Sequence, residues 1–131
     1  MTTTPVLFSY GISHALNASG LWSVAVYPAP YKYARKTSEL VVPGPSQTWV
    51  FTEPWSGFTA PTFGFYITQN RLWGHLPTDR HSLGANFSFA DGHAQRKHWK
   101  AQKETRSSDV IQPGGDRDDY TWLIAGLPEL P

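Results

Sequence analysis

The stretch RHSLGANFSFADGHAQRKHW, residues 80–99, predicts a β-hairpin. Phe87 and Phe89 fall two residues apart, so their side chains point to the same face of a strand. Asp91-Gly92 is a two-residue turn signal, because a type I′ turn needs positive φ at both central positions and this pair tolerates it. Residues 93–99 then return as a strand of mixed polar and aromatic character.

The composition favours β-structure over helices. The 131 residues include six Trp, six Tyr and seven Phe but a single Met, and aromatic side chains are typical of strands. Eleven Pro and eleven Gly interrupt the chain every few residues, which suits short strands and turns and argues against long helices. This length corresponds to one domain, residues 1–131.

Alternating apolar segments predict the remaining strands, and they cover residues 6–10, 22–27, 48–52 and 63–68. Residues 101–119 are polar and rich in turn residues, so we expect an exposed loop there. Residues 119–124, DYTWLI, return to the core as a last strand or a helical turn. The predicted fold class is mainly β, with α+β as the alternative: a single antiparallel sheet of about six strands with long turn-rich loops.

The charge pattern excludes several classes of partner. A formal net charge of +1 gives no electrostatic support for nucleic-acid binding. A local basic cluster is interpreted as a solvated strand end, and it comprises Arg96, Lys97, Lys100 and Lys103.

The absence of Cys excludes disulfides and thiolate metal sites. No stretch approaches the roughly 20 apolar residues of a membrane span, and residues 1–5 are not a secretory signal.

Four pieces of the sequence, read in order, resemble one protein family: SYG, PSQTWVFTE, RHSLGANFSFADGH and DDYTWL. Together they resemble the C-terminal globular region of prepilin-like type II secretion pseudopilins with a His-x9-Asp-Gly signature, of the type abundant in planctomycetes and verrucomicrobia. The resemblance covers most of the chain, residues 7–125, and the hairpin motif is its specific part. The matching positions are His81, Asn86, Phe89, Asp91, Gly92 and His93, and Glu53 stands where members usually have an acidic residue.

This resemblance implies a non-enzymatic structural subunit of a cell-surface or extracellular assembly. The expected partners are further copies of the chain or other pseudopilin-like subunits, and the expected location is the cell envelope or outside the cell. Family members begin with a cleavable leader and a long apolar helix, whereas this sequence begins MTTTP. The sequence is therefore either a fragment or a stand-alone version of the globular part.

His81, Glu53, Asp91 and His93 would approach one another if the middle strand neighbours the hairpin. A carboxylate that orients a His, or a metal site of His and carboxylate ligands, is then one interpretation. We favour structural roles, in which Asp91 begins a tight turn, Gly92 permits it, and Glu53 pairs with His81. No catalytic residue is assigned, and no cofactor is required.

The segment GGDRDD, residues 114–119, places Asp116, Asp118 and Asp119 in a loop that we predict to be flexible. Ca²⁺ binds six to eight oxygens, and these carboxylates with loop carbonyls could supply several. The spacing is not that of an EF-hand loop. The resemblance adds support, because pseudopilins of the better-known secretion systems bind calcium in a C-terminal loop. We favour a solvated acidic turn and keep calcium as the alternative.

The aromatic residues suggest an alternative function, a carbohydrate-binding β module. Trp55, Tyr66 and Trp73 lie in or beside predicted loops, where exposed rings could stack on sugars. Exposed aromatic side chains also mark protein–protein contacts. The tryptophans of the apolar segments are expected in the core instead, and these are Trp22, Trp49 and Trp122.

Two tripeptides match the N-glycosylation sequon, Asn17-Ala18-Ser19 and Asn86-Phe87-Ser88. Asn86 lies within a predicted strand, where its backbone is paired. Asn17 is therefore the glycosylation acceptor that the sequence favours.

Overall fold

The structure is a computed structural model, and it describes residues 10–13, 15–16, 30–32, 34, 36–55, 62–63, 73, 75–103 and 110–129. Five strands lie in this part of the chain: β1 (Gly11–Ser13), β2 (Trp49–Thr52), β3 (Thr62–Phe63), β4 (Gly84–Phe89) and β5 (Ala94–His98). A 3-10 helix spans Thr37–Glu39, and one α-helix, α1, spans Gly115–Ile124. The fold is therefore mainly β with one helix.

The five strands form one sheet in the order β3-β1-β2-β4-β5. The pairs β1–β2, β2–β4 and β4–β5 are antiparallel, as the sequence predicted. β3 pairs with β1 in parallel, which differs from the fully antiparallel expectation. The strands predicted at residues 6–10 and 22–27 lie outside the described residues, apart from Tyr10, and the one at 63–68 is described only at Phe63.

The hairpin of β4 and β5 is confirmed, but its turn differs from the predicted one. The Gly92 N–H donates to the Phe89 carbonyl (2.9 Å) and the Phe89 N–H donates to the His93 carbonyl (2.9 Å). These bonds close a three-residue loop in which Gly92 alone has positive φ, +96°. The predicted type I′ turn, with positive φ at Asp91 as well, is wrong. A three-residue loop needs only its last residue in the left-handed region, which is why Gly92 is the critical residue.

The hydrophobic core lies between one face of the sheet and helix α1. Phe87 and Phe89 both point into it, as their spacing predicted, and Trp49 is buried as expected. Phe87 makes edge-to-face contacts with the rings of Trp49, Trp99 and Trp122, at centroid distances of 5.8, 5.9 and 5.1 Å. Complete burial of a large apolar side chain, as at Phe87, Trp49 and Trp99, stabilises the fold by about 1.5–3 kcal/mol. The Trp49 Nε1–H also donates to the Leu123 carbonyl (2.9 Å), which ties β2 to α1.

Helix α1 occupies a region for which we predicted a loop and then a strand or helical turn. Its buried residues are Asp116, Asp119, Tyr120 and Leu123, which recur at the spacing of one helix face. Two of these four are acidic, so the buried face has no continuous apolar pattern. The expectation of an exposed loop over residues 101–119 is wrong at Lys103, Asp116 and Asp119, which are almost inaccessible to solvent.

No helix in the described ranges is long and apolar enough to cross a membrane.

Candidate functional site

The first candidate site joins the end of β2 to the turn before β4. Glu53 follows β2, and its Oε2 lies 2.8 Å from His81 Nε2. The same carboxylate accepts a hydrogen bond from the Asn86 backbone N–H at 3.3 Å. The His81 side chain is 44% exposed and that of Glu53 15%. The predicted pairing of Glu53 with His81 is confirmed, and Asn86 joins it through its backbone.

Arg96 fixes the backbone of the same turn from strand β5. Its Nε and Nη2 donate to the His81 carbonyl (3.1 and 2.7 Å), and Nη2 also donates to the Ser82 carbonyl (2.7 Å). Ser82 and Leu83 have positive φ of 52° and 59°, which costs about 1–2 kcal/mol at each residue. The Arg96 bonds offset this strain. Arg96 therefore has a specific role that the interpretation of a solvated basic strand end missed.

Gly84 allows this turn to pack closely on β5. A Cβ atom at Gly84 would lie 2.6 Å from the Lys97 carbonyl oxygen, which is a backbone atom. Any side chain here would push the two strands apart, so the turn needs glycine at this position for close approach and not for backbone conformation.

Asp91 and His93 form a second, separate pair at the tip of the hairpin. The Asp91 Oδ1 accepts a hydrogen bond from the His93 backbone N–H (3.1 Å) and contacts the His93 ring Nδ1. These bonds, the backbone one first, hold the pKa of Asp91 below its ordinary value. The His93 ring stacks on Phe89 at a centroid distance of 4.4 Å. The four polar side chains therefore form two separate pairs, His81 with Glu53 and Asp91 with His93, and not the single cluster that we predicted.

A third cluster, which the sequence reading missed, surrounds Lys103. Its Nζ donates to Asp119 Oδ2 (2.8 Å), Asp116 Oδ1 (2.9 Å) and the Ala101 carbonyl (2.9 Å). All three ionic side chains are at most 1% exposed. We call Lys103, Asp116 and Asp119 the buried triad. The expectation that Lys103 belongs to a solvated strand end is therefore wrong.

Tryptophan rings and N–H donors complete the surroundings of the buried triad. The Lys103 Nζ lies 5.1 Å from the centroid of the Trp73 ring and 5.2 Å from that of Trp99, within the range of cation–π attraction. The Asp119 carboxylate accepts the Lys100 N–H (3.0 Å) and the Ala101 N–H (3.1 Å). These donors supply the solvation that burial removes from the charged groups.

Asp116 shows how burial and hydrogen bonding oppose each other. Burial alone would raise the pKa of its carboxyl, but three donors outweigh that effect and hold the pKa below its ordinary value. They are the Gln112 N–H (2.8 Å), the Lys103 ammonium (2.9 Å) and the Trp73 Nε1–H (3.2 Å). Asp116 also lies in the first turn of α1, where the helix dipole favours negative charge.

The predicted calcium ligands Asp116, Asp118 and Asp119 do not lie together in a flexible loop as expected. They lie on helix α1 rather than in a flexible loop, and the cation between Asp116 and Asp119 is the Lys103 ammonium. Asp118 is exposed and pairs with Lys100 at 3.0 Å. Within the described ranges, no group of three or more His, Asp or Glu side chains is arranged to hold a metal ion.

Of the three loop aromatics proposed for sugar stacking, the structure describes Trp55 and Trp73, and these two do not form a shared exposed surface. The Trp73 side chain is fully buried beside Lys103, which corrects its assignment to an exposed loop. Trp55 is half-buried, with the Arg80 guanidinium 5.0 Å from its ring centroid. Tyr66, Trp22 and the predicted glycosylation acceptor Asn17 lie outside the described residues, and Trp122 packs half-buried against the core.

Comparison with known proteins adds no assignment: no family model matches the chain, and neither does any curated protein or solved structure. In the His81–Glu53 pair, the Asp91–His93 pair and the buried triad, the polar side chains hold backbone groups or each other in place.

Proposed function

We propose that this chain is a non-enzymatic structural subunit of a cell-surface or extracellular assembly, similar to the globular part of a pseudopilin, and that it associates with its own copies. The observation that carries this proposal is the use of the His-x9-Asp-Gly residues. His81 and Glu53 bond to each other, Asp91 bonds to His93 at the hairpin tip, and Gly92 forms the turn. Each residue maintains the hairpin, as expected of a structural signature.

An exposed apolar surface supports self-association. Tyr10 is 55% exposed and Phe51 45% exposed, and both line a groove of about 480 Å³ together with Asn86, Ser88 and Ala94. Exposed apolar surface of this kind marks protein–protein contacts. We call this the Tyr10–Phe51 surface, and we assign it to contact between copies of the chain.

The edge strand β5 is poorly suited to association, and this favours the Tyr10–Phe51 surface as the contact between copies. Among the described residues β5 is the last strand on its side of the sheet, and its side chains include Arg96, Lys97 and His98. Charged side chains on an edge strand oppose uncontrolled strand addition. The apolar face therefore fits ordered association better than the edge does.

The burial of Trp73 removes one of the three rings on which a carbohydrate-binding function would depend.

Sedimentation velocity over a range of protein concentrations tests the proposal. We expect the wild-type chain to form dimers or larger species as concentration rises, and Phe51→Ser to remain monomeric. Val41→Ser is the matched control, since Val41 is a 61% exposed apolar residue that does not line the groove. A wild-type chain that stays monomeric at every concentration would contradict self-association.

Antibody labelling of intact native cells tests the proposed location. Labelling without permeabilisation is expected for an envelope or extracellular subunit. Labelling that appears only after permeabilisation, with all protein in the cytoplasmic fraction, would contradict the location.

A further inference from the structure

The buried triad places an amine against a carboxylate with a second carboxylate beside them. Lys103 Nζ lies 2.9 Å from Asp116 Oδ1 and 2.8 Å from Asp119 Oδ2, and all three side chains are at most 1% exposed. The three N–H donors of the ammonium are matched by the two carboxylates and the Ala101 carbonyl. A buried amine, a carboxyl group in contact with it and a second carboxylate able to carry protons are also the groups that an acyl-transfer reaction requires.

We propose that Lys103 and Asp116 form an intramolecular isopeptide bond, with Asp119 as the proton carrier. The bond would be an amide between Lys103 Nζ and Asp116 Cγ. It is a covalent modification of the fold itself, and it does not depend on whether the chain self-associates.

The position of Lys103 favours the reaction. Its Nζ is held by the Ala101 carbonyl as well as by the two carboxylates, so the amine is fixed in hydrogen-bond contact with the carboxyl group that it attacks. Holding two reacting groups in this way replaces a slow bimolecular encounter with an intramolecular step. The rings of Trp73 and Trp99, 5.1 and 5.2 Å from Nζ, keep water away from the site.

Asp116 has the features of the acyl group. Its Oδ1 faces the amine, whereas its Oδ2 accepts hydrogen bonds from the Gln112 N–H (2.8 Å) and the Trp73 Nε1–H (3.2 Å). Two N–H donors on one oxygen stabilise the negative charge that develops there when the carbon becomes tetrahedral. Oδ1 is the oxygen left to depart.

Asp119 completes the reaction as a general base and acid. One ammonium proton of Lys103 passes through Asp119 Oδ2 to Asp116 Oδ1, which leaves a neutral amine and a neutral carboxylic acid. The amine attacks Cγ to form the C–N bond, and a second proton follows the same route to Oδ1. The Cγ–Oδ1 bond breaks and Oδ1 departs as water. Asp119 ends as the carboxylate that it was, and no oxidant or other reactant is consumed.

Mass spectrometry of the full chain, purified after native folding and then denatured, tests the bond. We expect an intact mass lower than the sequence mass by one water molecule, after allowance for N-terminal processing. An intact mass without this loss in folded protein would overturn the proposal.

Tryptic digestion identifies the acyl partner, because Arg117 separates the two aspartates. A bond to Asp116 joins residues 101–106, uncut after Lys103, to residues 107–117. A bond to Asp119 would join them to residues 118–131 instead, and that result would overturn the roles assigned to the two carboxylates.

Three variants separate the roles. Lys103→Arg should keep the full mass. Asp116→Asn should still form the bond but lose ammonia instead of water, which a mere ion pair would not do. Asp119→Asn should form the bond at least about 10²-fold more slowly, the usual effect of removing a general acid or base. Circular dichroism checks that each variant folds, and a folded Asp119→Asn that reacts at the wild-type rate would overturn the role of Asp119.

Discussion

Two polar contacts of this molecule have the same length and opposite surroundings. His81 Nε2 lies 2.8 Å from Glu53 Oε2 at the surface, and Lys103 Nζ lies 2.8 Å from Asp119 Oδ2 in the interior. The first pair is 44% and 15% exposed, whereas the second is fully buried. Water screens the first, so it contributes little to stability. Removing one partner of the second leaves an uncompensated charge in the core. Burial, more than distance, sets what each contact contributes.

Replacing Lys103 should have the largest effect on stability. Lys103→Met keeps the apolar stem but prevents the proposed isopeptide bond and leaves Asp116 and Asp119 as buried carboxylates without a cation, so we expect a loss of at least about 3–5 kcal/mol in the free energy of unfolding. Urea unfolding followed by Trp fluorescence measures it. Lys100→Met is the matched control, because Lys100 pairs with Asp118 at the exposed end of α1 and should cost about 1 kcal/mol or less. Similar losses for both variants would contradict the claim that burial sets what each contact contributes to stability.

The hairpin turn should give the next largest effect. Gly92 has φ of +96°, and a β-branched side chain resists this conformation, so Gly92→Val should cost about 3 kcal/mol. Because a Cβ here meets no atom within 4 Å, the loss is one of backbone conformation and not of packing. Gly92→Asn should cost less, since Asn tolerates positive φ. Equal melting temperatures for Gly92→Val and wild type would show that the turn does not constrain the fold.

Tyr120, which packs on Trp73 beside the buried triad, should make stability depend on alkaline pH. Burial, the main cause, raises the pKa of Tyr120 from 10.0 to about 12. Since the folded state favours the neutral phenol, its contribution is complete below pH 10.0 and is lost as pH rises toward about 12, to an extent of about 3 kcal/mol. Urea unfolding at a series of alkaline pH values measures this. Tyr120→Phe should lose that part of the pH dependence and Tyr10→Phe should retain it; identical curves for both would contradict the assignment.

Loss of the exposed pair should have a small effect. His81→Ala removes one screened partner of Glu53, while the Asn86 N–H and the Arg96 bonds to the turn remain, so we expect a loss of about 0.2–1 kcal/mol. Differential scanning calorimetry detects the accompanying shift in melting temperature. A loss as large as that of Lys103→Met would mean that His81 does more than hold the turn.

Calcium should have the smallest effect. The Lys103 side chain already occupies the space between Asp116 and Asp119, so adding Ca²⁺ or a chelator should leave the melting temperature unchanged. A stabilisation that grows with Ca²⁺ concentration would restore the interpretation of these aspartates as metal ligands.

The sequence predicted the hairpin and the His81–Glu53 pair well but did not predict the buried triad. The alternation of Phe87 and Phe89 and the Gly92 turn are local signals, so the hairpin could be read directly. The pairing of Glu53 with His81 followed from placing the middle strand beside it. Lys103 stands in a polar run, and its burial depends on carboxylates 13 and 16 residues later. The one available signal was the spacing of Asp116, Asp119, Tyr120 and Leu123, which is that of one helix face. Because we expected Asp116 and Asp119 to be exposed, we did not recognise this helix-face pattern.

A pair of double-mutant cycles tests the comparison most directly. Both cycles are measured in an Asp116→Ala background, in which the isopeptide bond cannot form. One cycle combines Lys103→Met with Asp119→Asn, and the other combines His81→Ala with Glu53→Gln, with free energies of unfolding from urea denaturation. We expect a coupling energy of about 2–3 kcal/mol for the buried pair and less than about 0.5 kcal/mol for the exposed pair. Equal coupling energies, or a larger one for His81 and Glu53, would contradict the claim that burial decides what these contacts contribute.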